Sequence, residues 1–132
     1  RTVHLGTPSM QLQDTAKAVE EGMAAVMEAL HADAVAGDVH AAWQAVLDRY
    51  GLEKKSRIGY SIGAAYAPDW GEHTLSFRPN ETALVPENAV VHIILGMWMD
   101  GWGMELSETL HVTEAGCTKM TDFPQHVHLV EP

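Results

Sequence analysis

The sequence predicts an α+β domain in which two helices cover one face of a curved antiparallel sheet. Three observations carry this. Apolar residues recur at spacings of three and four through the first part of the chain. Later they fall into β-branched and alternating runs. The turn signals between those later runs are short enough for hairpins. With 132 residues, 46% of them hydrophobic and 20% charged, the chain has the means to bury one core.

The elements follow in order. Residues 2–5 read as the end of a strand, with Val3 and Leu5 on one face. A chain that opens inside a strand, with no initiator Met and no signal-peptide layout, is expected to be a piece of a longer one. Gly6-Thr7-Pro8-Ser9 then turns into a helix capped by Thr7 or Ser9, with Pro8 in its first turn. Leu12, Ala16, Val19, Met23, Val26 and Leu30 make one apolar stripe over about six turns, leaving Lys17, Glu20, Glu21 and Glu28 on solvated faces. Ala36-Gly37-Asp38 separates this helix from the next, for which Asp38 is the expected N-cap. The second stripe is Val39, Trp43, Val46, Leu47 and Tyr50, and Gly51 suits the C-terminal cap. Residues 53–57 form a charged connector expected in solvent, residues 58–66 are Gly-rich and irregular, and Pro68-Asp69-Trp70-Gly71 is a turn. Strands are expected at residues 90–99, 104–113 and 127–130, with Asp100-Gly101 as a hairpin turn.

Eighteen Asp and Glu against eight Lys and Arg give a net charge of -10, which argues against nucleic acid or an anionic membrane as the main partner. The longest apolar stretch, residues 89–99, contains His92 and falls short of the roughly 20 residues that span a bilayer. Cys117 is the single cysteine, so no internal disulfide forms, and a reducing cytoplasm is the expected compartment.

Several places have chemistry to offer. Gly59-Tyr60-Ser61-Ile62-Gly63 sets two glycines around a polar pair where a strand should begin, which fits either a bulge or close approach of a ligand. Residues 66–73 crowd Tyr66, Asp69, Trp70, Glu72 and His73 into one loop, either a site lining or a turn whose Trp plugs the core. His92 interrupts an apolar strand and shares a face with Ile94, which by pattern alone reads as a hydrogen-bonded core histidine. Glu105, Ser107 and Thr109 share the face opposite Met104, Leu106 and Leu110; the apolar set belongs toward the helices. Alternation does not say whether the polar face is a cleft or open solvent. The eight histidines show no metal-binding spacing, since there is no HExxH and His126-Val127-His128 has no third ligand beside it. No nucleophile elbow, phosphate loop or dinucleotide fingerprint is present.

Taken together these residues resemble the C-terminal catalytic half of the pita-bread proteins, the creatinase/aminopeptidase (M24) family. The resemblance rests on Gly6-Thr7-Pro8 before a long helix, Gly37-Asp38-Val39 opening the second, Gly59 to Gly63 in place of the family's GHGIG, and Trp102-Gly103-Met104-Glu105 leading to Val112-Thr113-Glu114-Ala115-Gly116. RIGYSIG at 57–63, PDWGEHT at 68–74 and the strand-borne His92 are most similar to the ectoine-hydrolase-like subgroup. It implies that residues 1–132 are the C-terminal part of a catalytic domain truncated at its N-terminus. Metallopeptidase members hold two metal ions with two Asp, one His and two Glu, and the resemblance places both Asp upstream of Arg1. It puts Tyr60 at the His position and Ile94 and Ser107 at the Glu positions, so no metal and no other cofactor is expected.

Creatinase, a metal-free member that hydrolyses a small C–N compound, is the precedent. The implied function is a metal-independent C–N hydrolase acting on a small zwitterionic solute such as ectoine. Since Ile94 and Ser107 would mark the cleft face, His92 and Glu105 should share it. The expected catalytic cluster is Glu72, His73, His92 and Glu105, with Tyr60, Trp70 and Ser107 against the substrate. The alternatives are an Xaa-Pro dipeptidase-like metallopeptidase and a non-catalytic dimerising remnant. The chain alone should be inactive and should associate as a homodimer through the edge near residues 2–5.

Overall fold

The computed structural model describes residues 1–131 apart from Tyr66 and Trp70. Strand β1 (Val3–Leu5) runs into helix α1 (Met10–Ala29), which starts where Ser9 caps: its side chain accepts the Leu12 N–H at 3.1 Å. The expected stripe is the buried face of α1, continued by Leu30 just past its end. Helix α2 (Ala36–Tyr50) begins three residues earlier than its sequence suggested, with Val35 at the N-cap and Asp38 inside the first turn. A side-chain cap is dispensable there because a loop supplies the acceptors. The Ala36 and Gly37 N–H groups donate to the carbonyls of Ala83 and Glu81, at 2.9 and 3.0 Å. Gly51 ends α2 in the left-handed conformation, φ 64°.

The two helices pack closely because Gly22 has no side chain: a Cβ there would stand 2.1 Å from the ring of Trp43, which is wholly buried on α2. Tyr50 does not reach the core; its hydroxyl donates to Glu21 at 2.7 Å, which also takes Arg49.

The remaining strands are β2 (Gly59–Ile62), β3 (Gly71–Phe77), β4 (Val90–Met99), β5 (Trp102–Thr113), β6 (Gly116–Lys119) and β7 (His128–Val130). Five form an antiparallel sheet in the order β3-β2-β4-β5-β6, while β1 and β7 pair in parallel. The Asp100-Gly101 turn forces pairing to begin at Met99↔Trp102, so β5 starts two residues before the alternating run that marks it in the sequence. Strands β3 and β6 escape sequence reading because one is polar and bulged and the other has four residues. Val91, Ile93, Leu95 and Met97 of β4 and Met104, Leu106, Leu110 and Val112 of β5 bury one face of the sheet, and both helices pack on the sheet.

Glu108 is the exception on that buried face, 2% exposed opposite Ile93. Arg1 neutralises it, and the same guanidinium donates to the Ser107 carbonyl and, at 2.9 and 3.2 Å, to those of Pro124 and Phe123. Beside it, the Thr2 hydroxyl bridges the Glu105 backbone, accepting its N–H at 2.8 Å and donating to its carbonyl at 3.0 Å. Among the described residues no helix is long and apolar enough to cross a membrane.

Candidate active site

The sheet face turned from the helices carries successive rows of side chains, set by register. Tyr60 lies opposite His92, which lies opposite Thr109; then come Ile94 and Ser107, Gly96 and Glu105, and Trp98 and Gly103. Alternation therefore puts Tyr60, His92, Ser107 and Glu105 on one surface. Rows are two residues apart, so the His92 and Glu105 rows stand about 13 Å apart along the strands, with Ile94 and Ser107 between them.

His92 is held at one nitrogen: Nδ1 and the Thr109 hydroxyl share a hydrogen bond of 3.0 Å. Its ring centroid is 6.1 Å from that of Tyr60, over which the Arg57 guanidinium sits at 4.6 Å. Burial lowers the His92 pKa, opposed by the charges of Glu105 and Glu108, so the imidazole is neutral at pH 7 with Nε2 left for proton exchange. Glu105 has its backbone clamped by Thr2 and its carboxylate over Gly96, where a Cβ would meet Oε2 at 3.4 Å. That Cβ would also come within 2.8 Å of the Trp98 ring, and one on Gly103 within 2.9 Å of the same ring. Trp98 thus lies across two glycines and remains 69% exposed.

The connector 53–57 is not simply solvated. Lys54 is half-buried and donates to the Gly96 carbonyl at 2.8 Å. Burial lowers its pKa, with the Glu105 charge opposing. A cavity of about 340 Å³ opens here between Lys54, Ser56, Gly96 and Trp98. Sequence reasoning passed over Trp98 and Lys54. The signal available for Trp98 was its parity with His92 and Ile94 on β4.

The expected cluster of four is divided. Glu72 lies against the Gly63 backbone and lines a separate cavity of about 260 Å³ with Ser61, Thr74 and Leu75. His73 is exposed and pairs with Asp69 at 2.6 Å. The Asp69 pKa is lowered chiefly by the Gly71 N–H, which outweighs burial, and further by His73. The cause of the division is a bulge: pairing slips between Tyr60↔Ser76 and Ile62↔Gly71, and within it His73 takes φ 59°. Trp70, expected against the substrate, lies outside the described residues.

The profile of metallopeptidase family M24 matches residues 1–114. The chain belongs to the M24 family. Over 128 residues it is 35% identical to the ectoine hydrolase of Halomonas elongata, covering 96% of this chain and 32% of that one. Over 127 residues it is 32% identical to an uncharacterized hydrolase/peptidase of Sinorhizobium fredii, with 96% and 32% covered. The M24 chain therefore spans about a third of the length of the curated relatives it matches. Its fold superposes on the dipeptidase PepE of Mycobacterium ulcerans with a TM-score of 0.90 at 24% identity, covering 100% of this chain and 35% of that one. The sheet is the curled half-barrel of the pita-bread fold.

The family's metal pair does not suit these residues. Of the three positions the resemblance assigns to ligands, Ile94 offers no donor atom, Ser107 is a neutral hydroxyl, and Tyr60 lies under the Arg57 cation. Among the described residues no group of three or more His, Cys, Asp or Glu is placed to hold an ion.

Proposed function

We propose that this chain is the C-terminal catalytic part of a metal-independent C–N hydrolase that opens a small zwitterionic cyclic amidine, with ectoine as the substrate. One observation carries the reading: the Ile94 and Ser107 row, lacking the donors of a metal pair, is flanked by a neutral histidine and a carboxylate. Similarity to a protein named ectoine hydrolase supports the substrate.

On this reading Glu105 pairs with the amidinium, and its charge is greatest in value where water is displaced. His92 Nε2 takes a proton from water as oxygen bonds to the amidine carbon. The C–N bond then breaks, and the leaving nitrogen takes that proton from the imidazolium, giving an acyclic amide and a free amine. The Ser107 hydroxyl sits between the two groups to bond the polar edge of the ring, and Tyr60 walls the His92 end. Trp70 is assigned a packing role against the ring. Glu72 and His73 have no part in the step. A second copy of the chain and a cytoplasmic setting complete the reading, the latter fitting the lone Cys117.

The test uses the whole protein that carries these residues. Ectoine ring opening is followed by proton NMR before and after exhaustive chelation, beside the metal content of the pure protein. Turnover that survives chelation is the expected result. Stoichiometric manganese, cobalt or zinc with activity restored by the ion would replace the reading with an Xaa-Pro dipeptidase-like peptidase. Turnover of neither ectoine nor Xaa-Pro dipeptides would point to a non-catalytic remnant.

A further inference from the structure

The far end of the same face holds three groups that the proton transfer leaves unused or half used. The Trp98 ring rests on Gly96 and Gly103, positions where any side chain would displace it. Its outer surface is bare, at 69% exposure for the residue. The Glu105 carboxylate lies over the same Gly96, so an aromatic face and an anion sit side by side above one glycine. At the strand edge the Lys54 ammonium spends one proton on the Gly96 carbonyl, 2.8 Å away, and has two left. The cavity of about 340 Å³ between Lys54 and Trp98 is open to a small solute.

An indole face attracts delocalised or quaternary cations, and a carboxylate beside it adds a paired charge. A lysine at the same glycine is unfavourable for a plain cation and favourable for a solute that also carries a carboxylate. We infer that Trp98, Glu105 and Lys54 form a zwitterion seat at the Gly96 end of the cleft. In it the indole and Glu105 take the cationic nitrogen group of a small solute, and Lys54 takes its carboxylate. The inference deepens the hydrolase reading and rests on it for the identity of the solute; the seat itself rests on the geometry around Gly96.

The seat is tested by fluorine NMR of the whole protein labelled with 5-fluorotryptophan, the Trp98 signal being the one lost in Trp98→Tyr. Ectoine, acetamidinium chloride and sodium acetate are titrated at equal ionic strength. Ectoine is expected to move the Trp98 signal saturably, acetamidinium more weakly, and acetate hardly at all. By chemical shifts of the other tryptophans or by calorimetry, Trp98→Ala and Glu105→Gln should each weaken ectoine about tenfold, and Trp98→Tyr should restore most of the loss. Lys54→Met should weaken ectoine while leaving acetamidinium unchanged, which a merely structural lysine would not do. A Trp98 signal unmoved by ectoine, or equal losses for both ligands in Lys54→Met, overturns the seat. Binding with these effects but no ring opening keeps the seat and removes the hydrolase; ring opening untouched by Trp98→Ala does the reverse.

Discussion

His92 is a histidine whose surroundings decide its use. Alternation along β4 turns it from the core, Thr109 fixes one nitrogen, and burial keeps the ring neutral. His92→Gln keeps a hydrogen-bonding group of similar size but cannot cycle a proton, so kcat for ring opening should fall about 10²- to 10⁴-fold with the fold intact. The pH profile should carry the same signature. Because the His92 pKa is lowered from 6.5, the base form persists below that value, and the acid limb of kcat/KM should lie under pH 6.5. An acid limb above pH 6.5 would show that another group is the base. Glu105→Gln retains the shape and removes the charge, and should raise KM for ectoine more than it lowers kcat.

Close approach governs the elements. Gly22→Ala places a methyl group inside the Trp43 ring, and the helix pair must part to admit it. This outweighs the better helix propensity of Ala, so urea unfolding should show a loss of about 1–3 kcal/mol. An unchanged midpoint would mean that the crossing has slack. The clamp on β5 is a second case. Arg1→Met leaves Glu108 as a buried unpaired charge, at a cost of about 3–5 kcal/mol, whereas Arg1→Met combined with Glu108→Leu should recover most of it. At this scale the helices were legible down to a cap at Thr7 or Ser9, which the structure gives to Ser9, and the Gly51 stop, because capping and the 3.6-residue period are local. The start of α2 was not, because its donors are met by the carbonyls of a loop more than 40 residues on.

For the molecule as a whole, acid and surface are the exposed points. His40 is buried without a partner for Nε2, and burial lowers its pKa below 6.5, as it does for His92. The unfolded chain therefore binds more protons between the folded value and 6.5. Stability should be full above about pH 6.5 and fall as the pH drops through that window, a slope that His40→Gln should flatten. Val3 and Leu5 are 61% and 70% exposed on the two-stranded β1 and β7 sheet, an apolar surface that the proposed second copy would cover. Sedimentation at micromolar concentration should show a dimer that Leu5→Lys disperses; a monomer of 14.4 kDa would show that this edge is content in water. By itself the sequence determined the α+β class, the two helical stripes, the β4 and β5 hairpin and the family, since each is written in periodicity or contiguous motif. Only the tertiary structure decided that Glu72 lines a separate cavity while His73 pairs with Asp69, that Arg1 is the counter-ion of Glu108, and that Trp98 and Lys54 meet at Gly96. Those facts depend on a bulge, on strand register and on contacts between distant segments, which local pattern does not encode.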